Sequence, residues 1–433
     1  MLSIASTIIF SFVIAIAAQQ VNLKGNVSIN YISFENNCKS ITFDYYDEKK
    51  HSDVLKNATM SMAVDNQAKG LNDQGISLYY NNNDGSVFVL SNNDIKANNC
   101  ESLFKGWTKL QSATFNNFHT EDVTSMKNMF YGCTSLQSLD LSGFNTSKVT
   151  DMSYMFYMPW SYTWSINSDE NSFEFESNLT NVTFGDNFTT ASVTNMSNMF
   201  SGCANLTSLD VSKFNTTNVK TMTRMFALCK KITTLNVSGF NNNSVTRFDD
   251  MFAGCELLQT LNIDSDFITS KAVSLTGGKG LGMFSNCLSL KTLNLSNSNV
   301  SNVKYMSYVF KNCNALETLN ISGWTTTNLE DMSEMFYGCK KLTTLDISNF
   351  NTANVFNMNR SFYGCEKISR IYVGDNWTNS KVDVSKNWGV DTFKNCNTIK
   401  GGTSNWEYNP QNTSATYARI GNAQSIGYLS TKS

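Results

Sequence analysis

Apolar residues fall along most of this chain in two alternating patterns. The first is L-x-x-L-x-[LV], as in Leu206, Leu209 and Val211, with Asp210 between the last two. Successive side chains of an extended chain point to opposite faces, so this alternation predicts a half-buried strand. The second is M-x-x-M-F-x-x-C, as in Met222, Met225, Phe226 and Cys229, and again in Met332, Met335, Phe336 and Cys339. Positions i, i+3 and i+4 share one face of a helix, so this string predicts a short helix that packs Met and Phe inward. Between the two, Phe144, Phe214, Phe240 and Phe350 predict a column of inward rings. Asn145, Asn215 and Asn351 follow one place later, where they either turn the chain or bond the backbone of the next unit.

The two patterns recur together at a fixed pitch. Cys203, Cys229 and Cys255 are 26 residues apart, and so are Cys287, Cys313, Cys339 and Cys365. A constant period in this range means stacked units. Trp107 and Pro159 take the cysteine position in divergent repeats. The interval stretches to 44 from Pro159 to Cys203, to 32 from Cys255 to Cys287 and to 31 from Cys365 to Cys396. These features predict an α/β solenoid of 26-residue strand-turn-short-helix units. Residues 19–98 form an N-terminal capping segment, 99–399 the repeats and 400–433 a C-terminal cap. Two apolar runs around Asp84-Gly85 predict a β-hairpin in the first cap. Caps are expected because an open end of a stack exposes core.

Composition narrows the function. Charge is sparse, at 16% of residues with a net charge of −2, which argues against a nucleic-acid partner. Residues 1–18 are mostly apolar and end in Ala15-Ile16-Ala17-Ala18, which suits signal-peptide cleavage. No later segment is long and apolar enough to span a membrane, so the expectation is a secreted, extracellular or surface-associated chain with no span after signal removal. N-x-S/T sequons in such a chain make Asn26, Asn57, Asn145, Asn178, Asn187, Asn205, Asn215, Asn236, Asn294, Asn320, Asn376 and Asn412 candidate glycosylation sites.

No catalytic constellation, cofactor motif or metal site is visible. His51 and His119 are the only histidines, and no C-x-x-C pair occurs. The glycine-rich run at 277–282 lacks the spacing of a phosphate-binding loop. The ladder cysteines read as buried thiols, while Cys38 and Cys100, outside the ladder, form the candidate disulfide. The polar position between the strand apolars makes a row of Asp140, Thr183, Asp210, Asn236, Asn262, Asn294, Asn320 and Asp346. No two Asp are neighbours in it, as a stacked sheet requires. Asp210, Asn236, Asn262, Asn294, Asn320 and Asp346 are therefore candidate partner-binding residues, or simply a solvated face. The largest insertion holds Trp160, Tyr162, Trp164, Phe173 and Phe175, which either anchor a partner or patch the repeat disrupted by Pro159.

The assembled motif L-x-x-L-D-[LV]-S-x-F-N-T-x-x-V-x-x-M-x-x-M-F-x-x-C, seen at 136–156 and 342–365, resembles the repeat of BspA-like leucine-rich-repeat surface proteins. The likeness runs from about residue 87 to the end of the chain. It implies a right-handed leucine-rich-repeat-like coil, no catalysis, and adhesion through an extracellular protein or glycan ligand. Self-association into an extracellular fibre or coat of glycoprotein is the alternative.

Overall fold

The computed structural model describes residues 37–63, 77–97, 99–163, 172–278, 280–402, 406–421 and 425–432. The chain divides into two compact units, Met1–Val193 with Met199–Leu209, and Thr194–Asn198 with Asp210–Ser433.

In the first unit β1 (Ser40–Tyr45) is followed by α1 (Ser52–Asn57), β2 (Met60–Ala63), β3 (Ser77–Asn81), β4 (Ser86–Ser91) and β5 (Ser112–Phe115). These strands form one sheet in the order β2-β3-β4-β1-β5, in which β3 and β4 pair antiparallel and β1 lies parallel to both β4 and β5. β5 comes from the repeat region, so the N-terminal segment and the first repeat share a sheet. Gly85 closes the β3–β4 turn at φ +76°, and a Cβ there would stand 2.6 Å from the Asn37 carbonyl oxygen. Further on, β6 (Ser138–Leu141) pairs parallel with β9 (Asn181–Phe184), and β7 (Trp160–Thr163) pairs antiparallel with β8 (Ser172–Phe175).

The second unit holds β10 (Thr234–Asn236), β11 (Thr260–Asn262), β12 (Thr292–Asn294), β13 (Thr318–Asn320), β14 (Thr344–Ile347), β15 (Arg370–Val373), β16 (Lys400–Gly401), β17 (Trp406–Glu407) and β18 (Ser430–Thr431). They do not form one continuous ladder. β10 pairs with β11, β12 with β13, β15 with both β14 and β18, and β16 with β17. The segment around Leu209, Asp210 and Val211, read from sequence as a model strand, is not a strand.

The expected α/β coil of strand-turn-short-helix units is overturned by the second wall of each repeat. No described residue of the repeats is α-helical, and α1 lies outside them. Met222, Met225 and Phe226 are buried as the pattern predicts, but they sit in turns. The residue before the second Met, or before Val309 and Ser361 where they replace it, has positive φ in eight repeats, though Gly282 before Met283 does not: Asn128, Tyr154, Asn198, Arg224, Asp250, Tyr308, Glu334 and Arg360 lie between 53° and 66°. A left-handed residue there cannot continue a right-handed helix. The backbone bonds show what replaces it. The N–H groups of Met225, Ala227 and Cys229 turn back three residues, to Met222, Arg224 and Phe226. Those of Arg224, Phe226 and Leu228 go forward to Asp249, Met251 and Ala253 of the next repeat. A helix would consume every N–H internally, whereas this wall spends alternate ones on its neighbour. The architecture is therefore one of short β-strands and turns, and the leucine-rich-repeat assignment, with the adhesin and fibre readings drawn from it, falls.

What remains of the motif is packing. Phe104, Phe130, Phe156 and Phe200 stack in the first unit at 5.2–5.8 Å between centroids. In the second, Phe226, Phe252, Phe284, Phe310, Phe336, Phe362 and Phe393 do so at 5.4–5.8 Å. Phe144, Phe214, Phe240 and Phe350 are buried as well. Phe carbonyls in the wall also take thiols: Cys255 Sγ donates to Phe226 O at 3.3 Å, Cys313 to Phe284 at 3.2 Å and Cys339 to Phe310 at 3.3 Å. This gives the cysteine a structural task that needs neither metal nor disulfide. All eleven cysteines are free and buried, so the expected Cys38–Cys100 disulfide is absent; Cys38 Sγ instead donates to the Ser40 carbonyl.

Candidate binding face

Each T-L-N strand buries its Leu and exposes its Thr and Asn. The parallel register sets like on like: Thr234 faces Thr260 and Asn236 faces Asn262, while Thr292 faces Thr318 and Asn294 faces Asn320. The Asn/Asp row ends each strand through a turn. Asn236, Asn294 and Asn320 accept the backbone N–H of Ser238, Ser296 and Ser322 at 3.1–3.3 Å. Asp140, Asp210 and Asp346 do the same for Ser142, Ser212 and Ser348 at 2.9–3.0 Å. The Ser212 hydroxyl and N–H hold the Asp210 carboxyl below its ordinary pKa. This local bond is the usual competitor of a strand, which explains why the strands are so short.

A second turn of the same kind follows the inward Phe, where Asn145, Asn215 and Asn351 accept from the N–H two residues on. The bond to the next repeat comes from the buried Thr beyond. Thr326 Oγ1 donates to the Asn351 carbonyl at 3.0 Å and accepts the Asn351 N–H at 2.9 Å. Thr120 treats Asn145 in the same way. Much of the sequon density is thus the N-x-S/T chemistry of turns. Among the sequon residues, Asn57, Asn178, Asn187, Asn215, Asn236, Asn294, Asn320 and Asn376 are exposed, Asn145, Asn205 and Asn412 half-buried, and Asn26 lies outside the described residues. The Asn205 amide donates to the Ser177 carbonyl.

The face opens where the period lengthens. β11 and β12 are separated by the 32-residue repeat and belong to different two-stranded sheets. A cavity of about 530 Å³ lies over the gap, lined by Ser238, Leu261, Asn262, Ile263, Thr292, Leu293, Asn294, Thr318 and Asn320. The opening is local. Asn297 N–H bonds the Ser265 carbonyl at 3.1 Å just beyond the strands, and Phe252 and Phe284 remain stacked at 5.5 Å on the opposite wall.

The extra residues are tied down by a charged cluster that the sequence did not announce. Asp250 Oδ1 accepts the Gly277 N–H at 2.8 Å, and its Oδ2 meets Arg224 Nη2 at 2.8 Å. Burial pushes the Asp250 carboxyl up, with Arg224 opposing. The neighbouring Asp249, also buried, meets Arg247 Nε at 2.7 Å. The signal available in sequence was the acidic pair Asp249-Asp250, upstream of the glycine run.

Of the candidate partner-binding residues, Asn262, Asn294 and Asn320 line the opening. Asn236 and Asp210 are exposed without lining it, and Asp346 is half-buried and paired with Lys432 at 2.6 Å. The aromatic insertion forms the β7–β8 hairpin, with Trp160 opposite Phe175 and Tyr162 opposite Phe173; Trp164 lies outside the described residues. A second, smaller cavity of about 260 Å³ lies between α1 and the β3–β4 hairpin. Among the described residues no three His, Cys, Asp or Glu are grouped to hold a metal ion, and no helix is long and apolar enough to cross a membrane.

These features define a protein of stacked β-and-turn repeats. A family described as "Mycoplasma protein of unknown function, DUF285" matches at residues 79–184, 170–276 and 281–415, and the chain belongs to it. That match replaces the BspA-like assignment and brings no activity with it. No curated protein and no solved structure matches the chain.

Proposed function

We propose that this chain is a secreted, non-catalytic binding module that takes an extracellular protein or glycan on the Thr/Asn face of its second unit. One observation carries the reading: Thr292, Thr318 and the amide groups of Asn262, Asn294 and Asn320 make no side-chain donor bond among the described residues, yet they converge on one opening. Polar groups gathered on a scaffold and left for solvent are suited to recognition. The apolar segment at 2–18 supports export. A non-catalytic role is supported by the thiols: burial pushes Cys255 and Cys313 up to about 12, leaving them protonated and poor as nucleophiles.

The test uses the mature chain as bait against extracellular material, beside a variant carrying Thr234→Arg and Thr318→Arg. Recovery of a partner by the native chain and its loss with the variant, at equal thermal stability, is the expected result. Equal recovery by both would remove the face from the function. A retained N-terminus on exported protein would remove the cleaved signal.

A further inference from the structure

Resting on that reading, we infer that the opening between β11 and β12 is a subsite for an uncharged oligosaccharide. The lining decides the class of ligand. None of its nine residues is charged, so it has no means of pairing with a phosphate, sulfate or uronate group. The amides of Asn262, Asn294 and Asn320 supply donors, Asn262 Oδ1 is an acceptor with no partner among the described residues, and Thr292 and Thr318 serve as either. A sugar hydroxyl is likewise both donor and acceptor. Leu261, Ile263 and Leu293 form an apolar floor of the kind that the C–H face of a pyranose ring covers. Asn294 and Asn320 recur on strands about 4.8 Å apart, so the site offers a polymer the same contact more than once.

A peptide adding itself as a strand fits less well. Strand addition draws its affinity from a run of open backbone groups. Here β11 and β12 are three residues each, and the gap is shut beyond them by the Asn297–Ser265 bond and opposite them by the Phe252–Phe284 stack. A peptide strand would have to end inside the opening, whereas a glycan can cross it and leave by the solvent side.

The experiment uses the mature chain from a bacterial host, so that Asn294 and Asn320 carry no glycan of their own. The probes are arrays of neutral plain polysaccharide fragments, neutral protein-type glycans, sulfated and uronic oligosaccharides, and peptides, with calorimetry on every hit. The expected result is binding of a neutral oligosaccharide at least tenfold tighter than of its anionic counterpart. Its affinity changes less than twofold between 50 and 300 mM salt, because no ion pair is involved, roughly as screening predicts. Thr292→Arg, which fills the opening from an exposed strand position, and Asn262→Ala each weaken it at least tenfold with an unchanged melting temperature. The two neutral arms distinguish free polysaccharide from glycoprotein glycans as the source. Binding confined to anionic sugars, or steeply salt-dependent, overturns the inference. So does peptide binding blocked by Thr292→Arg, which would leave the binding face standing with a different ligand. Neutral-sugar binding untouched by either variant overturns the subsite and the face together.

Discussion

If the M-x-x-M-F wall is turned and not helical, alanine and glycine must rank in a particular order at its left-handed positions. Asn128 and Arg360 are one such position in each unit, at φ 57° and 53°. Comparing Ala with Gly at the same site cancels the lost side-chain contacts and leaves the backbone preference. In the left-handed region an L-residue costs roughly 1–2 kcal/mol that glycine avoids. Glycine gives back about 0.5–1 kcal/mol through its larger unfolded-state entropy. The Gly variant should therefore be more stable than the Ala variant by roughly 0.5–1 kcal/mol. In a helix interior the order reverses, with Gly about 0.8–1.0 kcal/mol below Ala. The two geometries differ in sign and by roughly 1.5–2 kcal/mol in size. Urea melts followed by near-UV circular dichroism resolve that difference, and in a thermal scan it amounts to a few degrees for a unit of about 200 residues. Asn128→Ala equal to or more stable than Asn128→Gly, with the same order at Arg360, would refute the turned wall and restore a helix.

Other consequences are as direct. Thr326→Val keeps the shape but strips the buried hydroxyl from both the N–H and the carbonyl of Asn351, and should cost about 1–3 kcal/mol in a denaturant melt; a neutral result would mean that water replaces it. With Cys313 pushed up to about 12, the ladder thiols should resist a thiol-reactive dye at pH 8 until the protein is unfolded, and rapid labelling of the native chain would contradict the buried ladder. Asp250 has its folded-state pKa raised by burial, so it favours the protonated fold: its contribution is present below the unfolded carboxyl range and is lost as pH rises through the folded value. Asp250→Asn should remove that slope from stability measured as pH rises from the ordinary carboxylate range of about 4; an unchanged slope would place its origin elsewhere.

The repeat and its pitch were legible because a stack demands the same side chain at the same place on every rung. Phe recurs because each ring stacks on its counterpart in the next repeat, and Cys because its thiol bonds a Phe carbonyl of the preceding one. The secondary structure of the Met/Phe wall was not legible. Spacing of three and four marks any chain that turns every three to four residues, and a row of turns shares that spacing with a helix. The left-handed residues gave little warning, since Tyr, Glu, Arg and Asp hold the positive φ as well as Asn. They hold it because a neighbouring repeat presents carbonyls to alternate N–H groups, an interaction absent from any single repeat.

The candidate site divides the same way. Asn262, Asn294 and Asn320 could be picked from the row, and the 32-residue interval announced an insertion. That the insertion parts β11 from β12, and that an aspartate pair with two arginines pins it, depended on how far two rungs separate once six more residues must be stored between them. By itself, then, the sequence determined which side chains are buried, how often they recur and which polar rows face water. Tertiary structure decided what holds successive repeats together and where they part. Burial follows from the chemistry of each residue, while hydrogen-bond partners between repeats are set by geometry that only the assembled stack supplies.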